Sequence, residues 1–200
     1  MWNNSGVIFW TFDERIKTLY IGGHGDMPEF TLDDNDEDAD IPWLDLKFER
    51  AILGYGITSV GTHSFLNCKH LKSVYLPDTV IEINDFAFEG CTSLECVRLP
   101  ERLIYLGNSA FFNCASLRDI WLPDRMRNIF DYAFYGCSSL RTIEIPDYVE
   151  HIGYGAFREC GSLIIVIRSN SDIDIEDGAF DDDVKMINRD DGRTYIMPPE

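Results

Sequence analysis

One period dominates the chain and limits what it can fold into. Cysteines stand at positions 68, 91, 114, 137 and 160, a constant 23-residue step, and each heads the same run of apolar positions. Leu71, Leu94, Leu117, Leu140 and Leu163 follow, then Val74, Val97, Ile120, Ile143 and Val166, then Leu76, Leu99, Leu122 and Ile145. Pro77, Pro100, Pro123 and Pro146 come directly after that third set. The unit continues through Val80, Leu103, Met126 and Val149, then Ile83, Leu106, Ile129 and Ile152. It closes on the pairs Ala87-Phe88, Ala110-Phe111, Ala133-Phe134, Ala156-Phe157 and Ala179-Phe180. A weaker copy precedes the first cysteine, with Phe48, Ala51, Leu53, Ile57, Val60 and Ser64-Phe65 in the same frame. The fifth cysteine unit carries Arg168 where its last apolar strand residue falls, and after Phe180 only Met186 keeps the frame.

An L-x-x-V-x-L segment alternates like a strand with one buried face, which a single copy cannot bury. Stacked copies can. Each adds a parallel strand about 4.8 Å from the last, so six strands give a sheet about 30 Å long. Proline cannot donate to the ladder and marks where pairing stops. The Ala-Phe pair returns on the opposite side, the small residue permitting close approach and the ring filling the interior.

The pattern C-x-x-L-x-x-V-x-L-P-x-x-V-x-x-I-x-x-x-A-F resembles the BspA-like leucine-rich repeat of bacterial surface and secreted proteins. It covers about residues 46–183, and WTFDERIKTLYIGGHGDMPEF with the later IPW resembles the segment preceding such arrays. The resemblance implies a leucine-rich-repeat solenoid: a right-handed parallel β superhelix with a concave parallel sheet and short helical or irregular turns on the convex side. It also implies adhesion to a protein or glycan at the cell surface or after secretion. The corresponding organisation is an N-terminal cap with an acidic loop over residues 1–45, six repeats over 46–183 and a C-terminal cap over 184–200.

Solenoid ends expose apolar edges and need covering. VIFWTF and IKTLYIGG around Asp13-Glu14-Arg15 read as one capping hairpin; KMI and RTYIM around Asn188-Arg189-Asp190-Asp191-Gly192 read as the other. The net charge of −18 is concentrated there: residues 1–45 carry −9, residues 46–168 only −2 and residues 169–200 −7. Like charge at both ends opposes end-to-end stacking, so a monomer is expected. Without a Lys/Arg-rich stripe, neither nucleic acid nor an anionic membrane surface is an expected partner. No apolar run approaches the roughly 20 residues of a membrane helix, and MWNNSGVIFW lacks the form of a secretory signal. Export with a leader removed and a cytoplasmic interaction scaffold are therefore both open, as is a structural repeat unit without its own ligand.

The recurring cysteines form an internal column read as free thiols packing like small apolar groups, with disulfides between neighbours sterically possible. Cys96 falls instead at an outward strand position. Residues flanking each central Val or Ile face the concave sheet: Arg50 and Ile52, Ser73 and Tyr75, Cys96 and Arg98, Asp119 and Trp121, Thr142 and Glu144, Ile165 and Ile167. The last two either extend this face or pack under the C-terminal cap, and packing under the cap is expected. Tyr75, Arg98 and Trp121 share one column and are the residue types enriched at binding hot spots. With Ser73, Asp119 and Glu144 they form the expected partner-binding surface. Asp34, Asp36, Asp38 and Asp45 have the spacing of a calcium loop, but Ala39 replaces its glycine and Pro42 intrudes, so a solvated loop is expected. The acidic residues at 172–183 read as solvated outer surface. His24, His63, His70 and His151 occupy different repeat positions with no nucleophile placed beside one. No catalytic, cofactor-binding or metal site is expected, and the chain reads as a binding protein rather than an enzyme.

Overall fold

The computed structural model describes residues 8–31, 41–167, 173–182 and 184–196. Each repeat makes one turn of a right-handed solenoid with three sides. The first side is the concave sheet, built from β1 (Ile8–Asp13), β2 (Thr18–Gly23), β4 (Arg50–Leu53), β6 (Ser73–Tyr75), β8 (Cys96–Val97), β10 (Asp119–Ile120), β12 (Thr142–Glu144), β14 (Ile164–Ile167), β16 (Lys185–Asn188) and β17 (Thr194–Ile196). Its ladder runs β1-β2-β4-β6-β8-β10, then β12-β14-β16-β17. On the second side lie shorter strands: β3 (Gly25–Asp26), β5 (Ile57–Val60), β7 (Glu82–Ile83), β9 (Tyr105–Leu106), β11 (Asn128–Ile129), β13 (His151–Ile152) and β15 (Asp174–Ile175). The proline ends one strand and opens the turn to the next, because its carbonyl accepts from the residue three on: Val80 N–H donates to Pro77 O, Leu103 N–H to Pro100 O and Met126 N–H to Pro123 O. Among the described residues the convex side holds irregular turns and these short strands, without helices.

The third side is the Ala-Phe turn, which forms its own backbone rail between coils. Phe65 N–H donates to Ala87 O at 2.8 Å, Phe88 to Ala110 at 2.8 Å and Phe111 to Ala133 at 2.9 Å. The rings beneath stack through the whole interior. Phe65, Phe88, Phe111, Phe134, Phe157 and Phe180 lie with centroids 5.0–5.6 Å apart and planes within 7° of parallel. That spacing is the rise of one coil, so each of the four inner rings has a stacked partner on both sides, and burial of each ring contributes about 2–3 kcal/mol.

The cysteine column runs beside the rings, and its five members are buried and unbridged. Each thiol from Cys91 onward donates to the phenylalanine carbonyl of the preceding coil: Cys91 to Phe65 at 3.1 Å, Cys114 to Phe88 at 3.2 Å, Cys137 to Phe111 at 3.3 Å and Cys160 to Phe134 at 3.1 Å. Burial pushes Cys68 and Cys160 up to about 12 and the three between them well above the ordinary thiol range. These are protonated packing groups.

Both ends close as hairpins. β1 runs antiparallel to β2, which pairs parallel with β4; β17 runs antiparallel to β16, which pairs parallel with β14. The inner strand of each hairpin is thus also the last rung of the array. At the N-terminal end Trp43 lies 6.0 Å from Phe65, covers the end of the ring stack, and donates its indole N–H to Ser64 O at 2.7 Å.

The array departs from the expected register in its last coil. Ile143 pairs with Ile165, one position short of a full period, although Leu140 and Leu163 keep the 23-residue step. One residue is missing between the leucine and the strand centre, and because side chains alternate, that slip exchanges the two faces. Ile165 is buried, as packing under the cap requires, while Val166, expected at the buried strand centre, is half-exposed with Ile164 on the concave side. Ile167 pairs with Asn188 of β16 and packs partly against the core, as expected beneath the C-terminal cap. Met186 continues the corrected frame opposite Ile165 and is buried.

Candidate functional site

The parallel register gathers the concave side chains into columns. Tyr20 pairs with Ile52 and Ile52 with Tyr75; Val74 pairs with Val97 and Val97 with Ile120, which sets Tyr75, Arg98 and Trp121 on successive coils. Glu144 follows in the same column, opposite Val166. Trp121 and Tyr75 are 73% and 61% exposed, so two large rings stand free of the core. The second column runs Arg50, Ser73, Cys96, Asp119.

Three shallow hollows meet at Trp121. Arg98, Asp119, Trp121 and Glu144 line one of about 480 Å³ together with the exposed Cys96. Arg98, Trp121 and Arg125 line a second of about 500 Å³, and Trp121, Glu144, Tyr148 and Arg189 a third of about 240 Å³. Ser73 and Tyr75 lie on the same face outside these hollows. Glu144 is not free to meet a ligand, because Arg189 of the C-terminal hairpin forms an ion pair with it. Arg98 and Arg125 have no ion-pair partner among the described residues. The hollows thus offer one indole, the guanidiniums of Arg98 and Arg125, and the carboxylates of Asp119, Glu101 and Asp124.

Other sequence candidates disperse. Among the described residues no three His, Cys, Asp or Glu side chains converge as a metal set. Asp34, Asp36 and Asp38 lie outside the described residues, as do Asp172 and Asp183; Asp174, Glu176, Asp177 and Asp182 are exposed. His63 is structural: its ring stacks on Phe86 at 5.0 Å, and Nδ1 lies 2.7 Å from Phe30 O, a pure acceptor, so that nitrogen carries the proton. His151 lies between Asp174 and Glu176 at 3.3 and 3.6 Å.

The structure also shows rings that the repeat frame did not single out. Tyr20 extends the concave column, a position legible from the T-L-Y-I alternation of β2. On the turn side Phe86, Phe112, Tyr132, Tyr135 and Tyr154 line a further hollow of about 760 Å³.

A family model described as a BspA type Leucine rich repeat region (6 copies) matches residues 54–187. The chain belongs to the BspA-type leucine-rich-repeat family. Among solved structures, the T. pallidum Leucine Rich Repeat protein TpLRR superposes with a TM-score of 0.63 at 24% identity, over 84% of this chain and 82% of that one. A leucine rich cell surface protein from Faecalibacterium prausnitzii A2-165 superposes with a TM-score of 0.51 at 24% identity, over 86% of this chain and 55% of that one. At these identities both show the leucine-rich-repeat fold alone. No curated protein matches the sequence. Among the described residues no helix is long and apolar enough to cross a membrane.

Proposed function

We propose that this chain is a non-enzymatic binding module, displayed at the cell surface or secreted, which holds a protein or glycan on its concave sheet around Tyr75, Arg98 and Trp121. Ser73 and Asp119 supply flanking polar contacts, and Glu144 fixes Arg189 at the edge. The observation that carries this reading is the pair of rings exposed by 61% and 73% beside an unpaired guanidinium. An exposed ring costs apolar hydration without stabilising the fold, and anchors of this kind typically lose about 2 kcal/mol or more of binding on truncation, about thirtyfold in affinity. Surface display draws support from BspA-type membership and from the description of the F. prausnitzii protein as a cell surface protein.

The test is capture of the folded chain on immobilised extracellular and bacterial surface proteins and on a glycan array, with Tyr75→Ala and Trp121→Ala beside the parent. Losses of about thirtyfold in both, with unchanged unfolding curves, support the assignment. Equal capture by parent and variants refutes it. A second reading, an intracellular interaction scaffold, is favoured by the five buried unbridged thiols, since oxidising compartments favour disulfides; fractionation of the native protein decides between them.

A further inference from the structure

The turn side carries a second aromatic surface, remote from the concave sheet. Phe112 stacks on Tyr135 at 4.9 Å and 8°, and Tyr132 meets Tyr135 and Tyr154 edge-on at 5.8 and 5.5 Å. The core does not require these rings, because the Phe88, Phe111 and Phe134 stack already fills the interior beneath them.

Their backbone setting costs stability. Phe86 and Tyr132 sit at φ 58° and 56°, a left-handed conformation in which the equivalent positions of later coils carry Gly155 and Gly178. A bulky side chain there costs roughly 1–2 kcal/mol. Gly155 also makes room for the ring, since a Cβ at that position would lie 2.8 Å from Tyr132 Cδ1. A tolerated local cost, with a glycine beneath the ring, is what a retained surface function leaves behind.

Charge selects the occupant. Asp85, Glu89 and Asp131 border the hollow against one cation, Arg158, whose guanidinium already donates to Tyr154 Oη at 3.3 Å. Asp85 and Asp131 are held in place by the backbone N–H groups of Asn108 and Tyr154. Glu89 is partly dehydrated, and burial raises its carboxyl above the usual range against the smaller opposing influence of His63. A cation over a tyrosine face gains from the ring quadrupole, and more once water is displaced. The hollow crosses four coils, about 15 Å of groove, enough for about four extended residues.

We propose that this aromatic, acidic groove docks a basic segment, rich in arginine or lysine, of a partner protein, independently of whatever the concave sheet holds.

The test is calorimetric titration and amide NMR of the full chain with acetylated hexa-arginine, using hexa-citrulline as the neutral control. The expected result is binding of the cationic peptide alone, with shifts centred on Tyr132, Tyr135 and Tyr154. Tyr154→Ala, at an ordinary backbone position, and Glu89→Gln each weaken it about fivefold. Trp121→Ala leaves it unchanged, which separates this site from the concave one. Asp124→Asn removes the same charge as Glu89→Gln at a distant place and has less effect. Equal weakening by those two carboxylate variants overturns the proposal, because the peptide would then be responding to net charge. Unchanged affinity in Tyr154→Ala also overturns it, as does saturation of the tyrosine shifts by cellohexaose but not by the peptide, which would assign the groove to glycan.

Discussion

Raising the pH above 9 should unfold this protein abnormally steeply, and the cause is the cysteine column. In the folded state the five thiols at positions 68, 91, 114, 137 and 160 are buried and held protonated, Cys68 and Cys160 up to about 12. In the unfolded chain each returns to an ordinary value near 9.0. Below pH 9 both states carry these protons and the column adds no pH dependence. Between pH 9 and about 12 the unfolded chain binds fewer protons than the folded one, so stability falls as pH rises. At about pH 10 each thiol costs about 1.4 kcal/mol and five cost about 7 kcal/mol, comparable with the whole stability of an ordinary domain at 5–15 kcal/mol. Urea unfolding by circular dichroism under reducing conditions at about pH 7 and about pH 10 measures the difference, with thiolate absorbance recorded in parallel. Cys114→Ala isolates one proton: whatever its cost at neutral pH, it should shrink the loss between the two conditions by about 1.4 kcal/mol. Exposed Cys96 should react with a thiol reagent in the native protein while the column does not. Gradual thiolate formation near pH 9 without unfolding in a Cys96→Ala background, where only the column can supply it, would refute the reasoning, as would an unaltered pH dependence in Cys114→Ala.

Two further outcomes test the interior and the turns. Phe111→Ala removes a ring stacked on both sides and should cost about 3–5 kcal/mol by urea unfolding, against about 1–2 kcal/mol for Phe111→Leu; a loss in Phe111→Ala no greater than in Phe111→Leu would mean that the coils collapse around the gap. Glu159 lies at φ 59° where equivalent turns use Gly90 and Gly136, so Glu159→Gly should raise stability by about 0.5–1 kcal/mol, and a lowered melting temperature would contradict that.

The period made the coils, the ring stack and the cysteine column readable, because a feature that recurs at a fixed interval must occupy one layer of a stacked structure. It failed where the period changes between two fixed points. Leu163 still stands one full period after Leu140, yet the strand centre is Ile165 rather than Val166. The unbroken β-branched run Ile164, Ile165, Val166 and Ile167 gives no polar alternation to reveal the slip. The deciding factor is tertiary: Ile165 pairs onto Met186 as well as Ile143, and Val184 is buried next to the same layer.

The two candidate surfaces differed in legibility for a geometric reason. On a strand the facing of a side chain follows from parity, so Tyr75, Arg98 and Trp121 could be placed together from sequence alone. Parity says nothing about what approaches from outside the array, and the Arg189 that occupies Glu144 comes from 45 residues away. In the turns there is no parity. Facing depends on which residue takes a positive φ, so Tyr132 and Tyr135, three residues apart on one turn, meet ring to edge in a way no periodic rule specifies. A signal was nevertheless present. The column His63, Phe86, Ser109, Tyr132, Gly155, Gly178 varies freely in size while the Ala-Phe pair beside it does not. On the docking proposal, Phe86 and Tyr132 carry rings at that conformational cost for a contact outside the core. By that argument the concave rings and the turn-side rings are separate surfaces of one rigid stack, open to independent removal.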